Sequence, residues 1–131
     1  VVAVARRASE GAALSDEDLA GVGAVLTDVR VRDVLFTLVD CEALAGAAEG
    51  LWLQVARVVG WPFRGEALCL LAHAGYVRGD GVLAGVCVDA VLSVVSGHRF
   101  AGLLSVALGA GVEPSVVRGV TSGAVVSAVL V

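Results

Sequence analysis

Between Glu66 and Arg78 apolar side chains occupy every side of a helical wheel: Leu68, Leu70, Leu71, Ala72, Ala74 and Val77. A helix of that kind has no face to offer water, so it belongs inside a bundle or inside a bilayer. A bilayer span takes about 20 predominantly apolar residues in a row. The longest charge-free stretches, Phe100 to Val112 and Gly119 to Val131, fall well short and are diluted with Gly and Ser. Hydrophobic residues make up 58% of the chain and mean hydropathy is +0.92, but the excess is mainly Ala and Val, which suit a tightly packed helical bundle. The pattern predicts an all-α fold without a membrane span, with residues 66–78 as its most buried helix.

The 131 residues make one domain, 1–131, long enough to bury roughly two-thirds of the surface of the extended chain. Punctuation along it predicts about six helices. Ser15 followed by Asp16, Glu17 and Asp18 is an N-cap with acids in the first turn, where they complement the helix dipole. Leu19, Val22 and Leu26 then share a face. Val29 to Val34 alternates like a strand, but Val31, Val34, Leu35 and Leu38 fit the helical template better. From Glu42 to Gly60 the buried face reads Leu44, Ala48, Leu51, Val55 and Val58, with Glu42, Glu49 and Arg57 opposite.

Gly60 suits a helix end and Pro62 the next helix start. Gly79, Asp80 and Gly81 form a sharp break, after which Ala84, Val88, Val91 and Val95 mark a partner helix that ends at Ser96 and Gly97. Phe100, Leu103, Leu104, Ala107 and Leu108 mark another, stopped by Gly109 and Gly111, and Pro114 opens a short last one towards Arg118. Residues 1–13 and 119–131 are poorly specified. The apolar tail from Gly119 favours docking on the bundle.

Charge and cysteine usage bound the function. A net charge of −4 with basic residues only in pairs, such as Arg6 and Arg7 or Arg30 and Arg32, argues against nucleic acid as a partner. Three cysteines inside apolar runs read as reduced, buried thiols of a cytoplasmic protein. The chain contains no Lys, Ile, Asn or Met, a bias that a GC-rich bacterial genome explains. The missing initiator Met suggests a piece of a longer chain.

The stretch Tyr76-Val77-Arg78-Gly79-Asp80, then Ala84 and Leu92, resembles the middle of a tetratricopeptide repeat, where a Gly-Asp turn separates two closely packed helices. Gly75 stands where the repeat has its aromatic and Ser96 where it closes on Pro. No second copy follows at the 34-residue period, so an array is not implied.

A longer resemblance is to the actinobacterial family DUF4192, in its C-terminal helical half. It rests on Val29-Arg30-Val31-Arg32-Asp33, Leu51 to Arg57, and Pro62-Phe63 leading to Ala67 to Ala72. It continues in Gly79 to Ala84, Asp89 to Leu92, and Phe100 to Leu104, so that it spans roughly Leu14 to Val117. The resemblance implies a helical fold and a bacterial lineage, with no assigned activity. Family members are typically longer and carry an N-terminal α/β portion, which implies that this chain is a fragment with apolar surface once covered by that part.

Each candidate site competes with an ordinary packing role. Cys69 and His73 lie four residues apart, and folding about Asp80 brings Cys87 level with them, a set of soft ligands suited to zinc. Neither cysteine belongs to a C-x-x-C knuckle, and core thiols explain the pattern better, so no metal is assigned. The same argument stands against Cys69 or Cys87 as a nucleophile paired with His73 or His98. His98 and Arg99 read as surface residues, and Trp52 as core. Arg57, Trp61, Phe63 and Arg64 at the Gly60 turn are of the types enriched at binding hot spots and form the candidate partner-binding cluster, although Trp61 folding back onto the bundle competes with that reading.

No catalytic residue and no cofactor is assigned. The expected function is a non-enzymatic helical interaction domain, binding a protein partner, a second copy, or the missing part of its own chain. The alternative is a small-molecule or enzymatic pocket near Trp61 and Arg64 or near His73.

Overall fold

A computed structural model describes residues 1–121. It contains α1 (Val2–Ser9), α2 (Asp16–Val25), α3 (Val29–Leu35), a 3₁₀ segment (Phe36–Asp40), α4 (Ala45–Val58), α5 (Phe63–Val77), α6 (Gly81–Val94) and α7 (Arg99–Ala110). Residues 114–121 are helical as well, and there is no strand among the described residues. The all-α class is as expected, but eight named helical elements stand where about six helices were predicted.

Two places account for the excess. The unspecified N-terminus forms α1, which lies along α4 and is held by Ala5, fully buried, with Val1 and Val4 packed beside it. The helix predicted through Leu38 breaks at Phe36 into α3 and the 3₁₀ segment. Residues 122–131, part of the tail for which docking was expected, lie outside the described residues.

Helix starts follow from short polar side chains. Ser15 Oγ accepts from the Asp18 N–H (3.1 Å) and Asp18 Oδ2 accepts from the Ser15 N–H (3.2 Å), a complete capping box. Asp28 caps α3 by accepting from the Arg30 N–H, and Asp80 caps α6 by accepting from the Leu83 N–H. The turn between α5 and α6 is a Schellman closure. The Asp80 N–H reaches the Gly75 carbonyl (2.7 Å) and the Gly79 N–H the Tyr76 carbonyl (3.0 Å), with Gly79 at φ +90°. Only glycine takes that angle without strain.

α5 is the central helix: residues 69–76 are buried without interruption. It packs chiefly between α4 and α6, with α2, α3, the 3₁₀ segment and α7 touching it more lightly. Leu51, Trp52 and Val55 of α4 and Leu70 and Leu71 of α5 meet Ala84, Cys87 and Val88 of α6 in one core. Tyr76 ties α5 to the end of α7 by donating its hydroxyl to the Val112 carbonyl (2.7 Å). Arg78 clamps the α5–α6 turn to α4 through Glu49 (2.7 Å).

Several face assignments differ from expectation. α4 ends at Val58, which is exposed, while Val59 turns extended and buries its side chain instead. Gly60 follows without a positive φ, so extended Val59 ends the helix. Gly109 stays inside α7, and Gly111 at φ +65° closes it. Leu103 is exposed because α7 lies at the edge of the bundle and buries only Ala101 and Leu104 fully, and Val95, expected on the buried face of α6, is exposed just past the end of that helix.

Candidate functional site

The most concentrated chemistry gathers where α3, the head of α5 and the start of α7 meet. Periodicity pointed Val31, Val34 and Leu35 inward on α3; Leu35 is buried, but Val34 is 48% exposed and Arg32 only 8%. The Arg32 guanidinium donates to Glu66 Oε2 (2.8 Å) and to Asp33 Oδ1 (2.7 Å). It also lies 5.7 Å from the Phe36 ring centre and 5.5 Å from that of Phe100, two rings stacked 4.6 Å apart. Aromatic faces attract a cation, and a planar guanidinium stacks on them more readily than an ammonium.

Glu66 is the second hub. Its other oxygen, Oε1, lies 3.0 Å from His98 Nε2. Burial raises the Glu66 pKa, but the hydrogen bonds from Arg32 and His98 outweigh it and hold the carboxyl below its ordinary range. Burial likewise opposes the charge on Arg32, and the two carboxylates overcome it and raise the pKa. His98 is therefore a half-buried part of a cluster, not the surface residue expected, whereas Arg99 is exposed.

Cys69, one turn along α5 from Glu66, completes a group of three potential metal ligands whose donor atoms lie within 4.8 Å of one another: Glu66, Cys69 and His98. Proton placement does not fit a cation there. His98 Nδ1 accepts from the Ala101 N–H (3.2 Å), so the neutral ring carries its proton on Nε2, the atom a metal would need. Arg32 already neutralises Glu66. The Cys69 thiol is pushed up to about 12, first by burial and then by the Glu66 charge, so it keeps its proton.

A nucleophilic triad fails on geometry too. Cys69 Sγ (3.8 Å) and Glu66 Oε1 both face Nε2, whereas a relay needs the thiol and the carboxylate on opposite ring nitrogens.

The metal set considered from the sequence does not assemble; among the described residues the ligand atoms of Cys69, His73 and Cys87 form no common group. His73 is buried, with its ring 4.7 Å from that of Phe36 and Nε2 3.0 Å from Thr121 Oγ1. The Thr121 hydroxyl directs its one proton at the Val117 and Arg118 carbonyls, which share it, so His73 is the donor in that pair. Burial pushes the His73 pKa down to about 4 and keeps the ring neutral. Cys87 is buried, with its thiol raised to about 11 by burial and then by Asp80. Cys41 is only half-buried, at the end of the 3₁₀ segment, not sealed in the core.

The four residues of the predicted partner-binding cluster have four different surroundings. Arg57 is exposed on α4. Trp61 is half-buried against the small cluster of Cys69, Val91 and Ala101, over Gly65, where an added Cβ would come within 3.1 Å of its ring. Arg64 donates to the Val59 carbonyl (3.0 Å) at the end of α4. Phe63, 39% exposed, borders an open groove of ≈ 350 Å³ lined by Asp16, Ala20, Ala24, Val58, Val59 and Gly60.

Sequence reasoning missed Arg32 and Glu66 altogether. The usable signal was Glu66 itself, the one acid in the run Glu66 to Val77 that is apolar on all sides.

No helix among the described residues is long and apolar enough to cross a membrane. No curated protein and no solved structure matches the chain. The model of the family described as "Domain of unknown function (DUF4192)" matches residues 1–115, further towards the N-terminus than the motifs starting at Leu14, and the chain belongs to that family.

Proposed function

We propose that this chain is a non-enzymatic helical interaction domain that binds a protein partner through outward helix faces, on a scaffold whose α5–α6 hairpin works as a tetratricopeptide-like unit. The observation that carries the reading is the exposure of large aliphatic side chains on the last two helices of the hairpin series. Val82 and Val86, one turn apart on α6, are 80% and 64% exposed. Leu103 and Val106, one turn apart on α7, are 63% and 72% exposed. Covering such side chains is favourable by about 1 kcal/mol or more each, and exposed apolar surface rimmed by polar residues is the usual mark of an interaction site.

The buried acid–base groups support the same reading. Glu66, His98, Arg32 and His73 are each committed to partners within the fold. The groove beside Phe63 is shallow and mostly apolar, which suits a side chain of a partner better than a polar substrate. Arg57, Trp61 and Arg64 remain part of the proposed contact region. A partner that is not nucleic acid agrees with the net charge of −4, and a cytoplasmic setting with three free cysteines.

A photo-cross-linking amino acid placed at positions 63, 86 and 103 of the full-length protein tests this in its native cells, with position 7 as control. Discrete protein adducts from 86 or 103, absent from 7, are the expected result. Failure to form adducts at all three positions overturns the proposal. Light scattering of the purified protein separates a second copy from a different partner.

A further inference from the structure

The four side-chain helix caps of the described residues differ in chemistry. Ser15, Asp28 and Asp80 cap α2, α3 and α6 with oxygen acceptors. α7 alone is capped by an imidazole, His98 Nδ1, which accepts from the Ala101 N–H at 3.2 Å. A ring nitrogen accepts only while its lone pair is free, so capping demands an unprotonated Nδ1. The other nitrogen, Nε2, then carries the proton and donates to Glu66 Oε1 at 3.0 Å.

We infer that His98 is a proton-operated cap: protonation of the ring uncaps α7 while Glu66 keeps hold of the ring. A second proton has only Nδ1 to go to, and there it meets the Ala101 N–H, donor against donor. The imidazolium would also sit at the positive end of the α7 dipole. Against these, the Nε2–H bond to Glu66 becomes a charge-assisted one and strengthens. The ring therefore stays in place, and the loss falls on the first turn of α7.

The charged and titratable groups around His98 are Glu66 and Cys69 on α5, Arg32 and Asp33 on α3, and its neighbour Arg99 on α7. Glu66 is ionised and paired with Arg32, Cys69 is a neutral thiol, and Arg99 points to solvent. Among side-chain types, imidazole is the one whose ordinary range falls in mildly acidic solution.

The first turn of α7 carries more than its own hydrogen bonds. Phe100 stacks on Phe36, and Ala101 is fully buried with Cys69 and Val91. Loosening that turn acts on Phe100, which lies beside the Arg32 guanidinium, and on the helix that presents Leu103 and Val106. The switch stands on the cap geometry and does not depend on what α7 binds.

Amide hydrogen exchange on the intact protein from about pH 8 to about pH 5 spans the histidine range. After correction for the intrinsic pH dependence, protection at Ala101 is expected to fall about fivefold, the equilibrium ratio matching loss of a typical N-cap. Leu83, capped by Asp80, serves as the internal reference and stays constant. His98→Asn, a cap that does not titrate, should flatten the Ala101 profile. Constant protection at Ala101, or a parallel fall at Leu83, overturns the inference. The ring ¹⁵N shifts of the wild-type protein decide independently of any variant: a proton on Nδ1 at neutral pH refutes the cap.

Discussion

Replacing Glu66 by Leu removes one side of the Arg32 pair and asks how much stability rests on it. Arg32 keeps its 2.7 Å contact with Asp33 but loses the 2.8 Å bond to Glu66, and the His98 Nε2–H loses its acceptor. Breaking one side of a buried pair costs ~3–5 kcal/mol. The Arg32 side chain is 9% exposed and that of Glu66 20%, and Asp33 still neutralises the guanidinium, so the cost falls to ~2–3 kcal/mol. Unfolding entropy of about 2.1 cal/mol/K per residue over 131 residues makes each kcal/mol worth about 3.6 °C. Tm should therefore drop by roughly 7–11 °C.

Arg32→Met should cost a similar amount, because it strands the Glu66 carboxylate with His98 alone. The double variant removes both charges and leaves a thioether beside the stacked rings of Phe36 and Phe100, a favourable contact. Replacing a whole buried pair by apolar groups is often neutral or stabilising. The double variant should thus be more stable than either single one, with a coupling of ~2 kcal/mol or more. Urea unfolding followed by fluorescence of the buried Trp52 measures all four proteins. Single variants within ~0.5 kcal/mol of wild type, or a double variant equal to the sum of the two, would refute this account of the cluster.

Two other predictions rest on single positions. In the unfolded chain His73 takes up a proton near its ordinary 6.5, and in the fold only near 4, so the stability it confers is complete above 6.5 and is lost as pH falls from there to 4. His73→Phe strands no partner, because the Thr121 hydroxyl keeps its bonds to Val117 and Arg118. The loss of stability across that window should shrink by on the order of 3 kcal/mol, and parallel pH profiles from urea unfolding of wild type and variant would sink the idea. Alanine at Gly50 or Gly85 meets nothing within 4 Å and should stabilise by ~0.5–1 kcal/mol. Alanine at Gly75 would put its Cβ 3.3 Å from the Asp80 carbonyl and 3.2 Å from Leu83, so the helix-forming gain should vanish or reverse; equal gains in Tm at all three sites would contradict that.

What was legible from the amino acids alone is what is decided within one turn of chain. Ser15 with Asp18 announces a helix start, because both hydrogen bonds close between residues three apart. Gly79 and Asp80 announce a stop and a restart for the same reason. The run from Leu68 to Val77 declares itself central because no side of it can face water. Face assignments on the peripheral helices were less secure. α3 has only 7 residues and α7 sits at the edge, so neighbours, not their own periodicity, set which side is buried.

The Arg32 cluster was hidden for a related reason: its members come from three separate segments, and each looks ordinary in its own. Arg32 read as half of a basic pair, His98 as a surface residue, and Glu66 only as the start of the apolar run. Yet Glu66 opens the helix that the same sequence marks as most buried. A carboxylate carried to the edge of a core is tolerated only with a cationic partner and further hydrogen bonds. The nine arginines are the only Lys or Arg residues in the chain. Arg32 stands between Val31 and Asp33 on a short, mostly apolar segment, with Phe36 one helical turn ahead beside its guanidinium. A lone acid at the head of an otherwise apolar helix therefore calls for an arginine on an aromatic-bearing neighbour, and in this chain Arg32 answers that description.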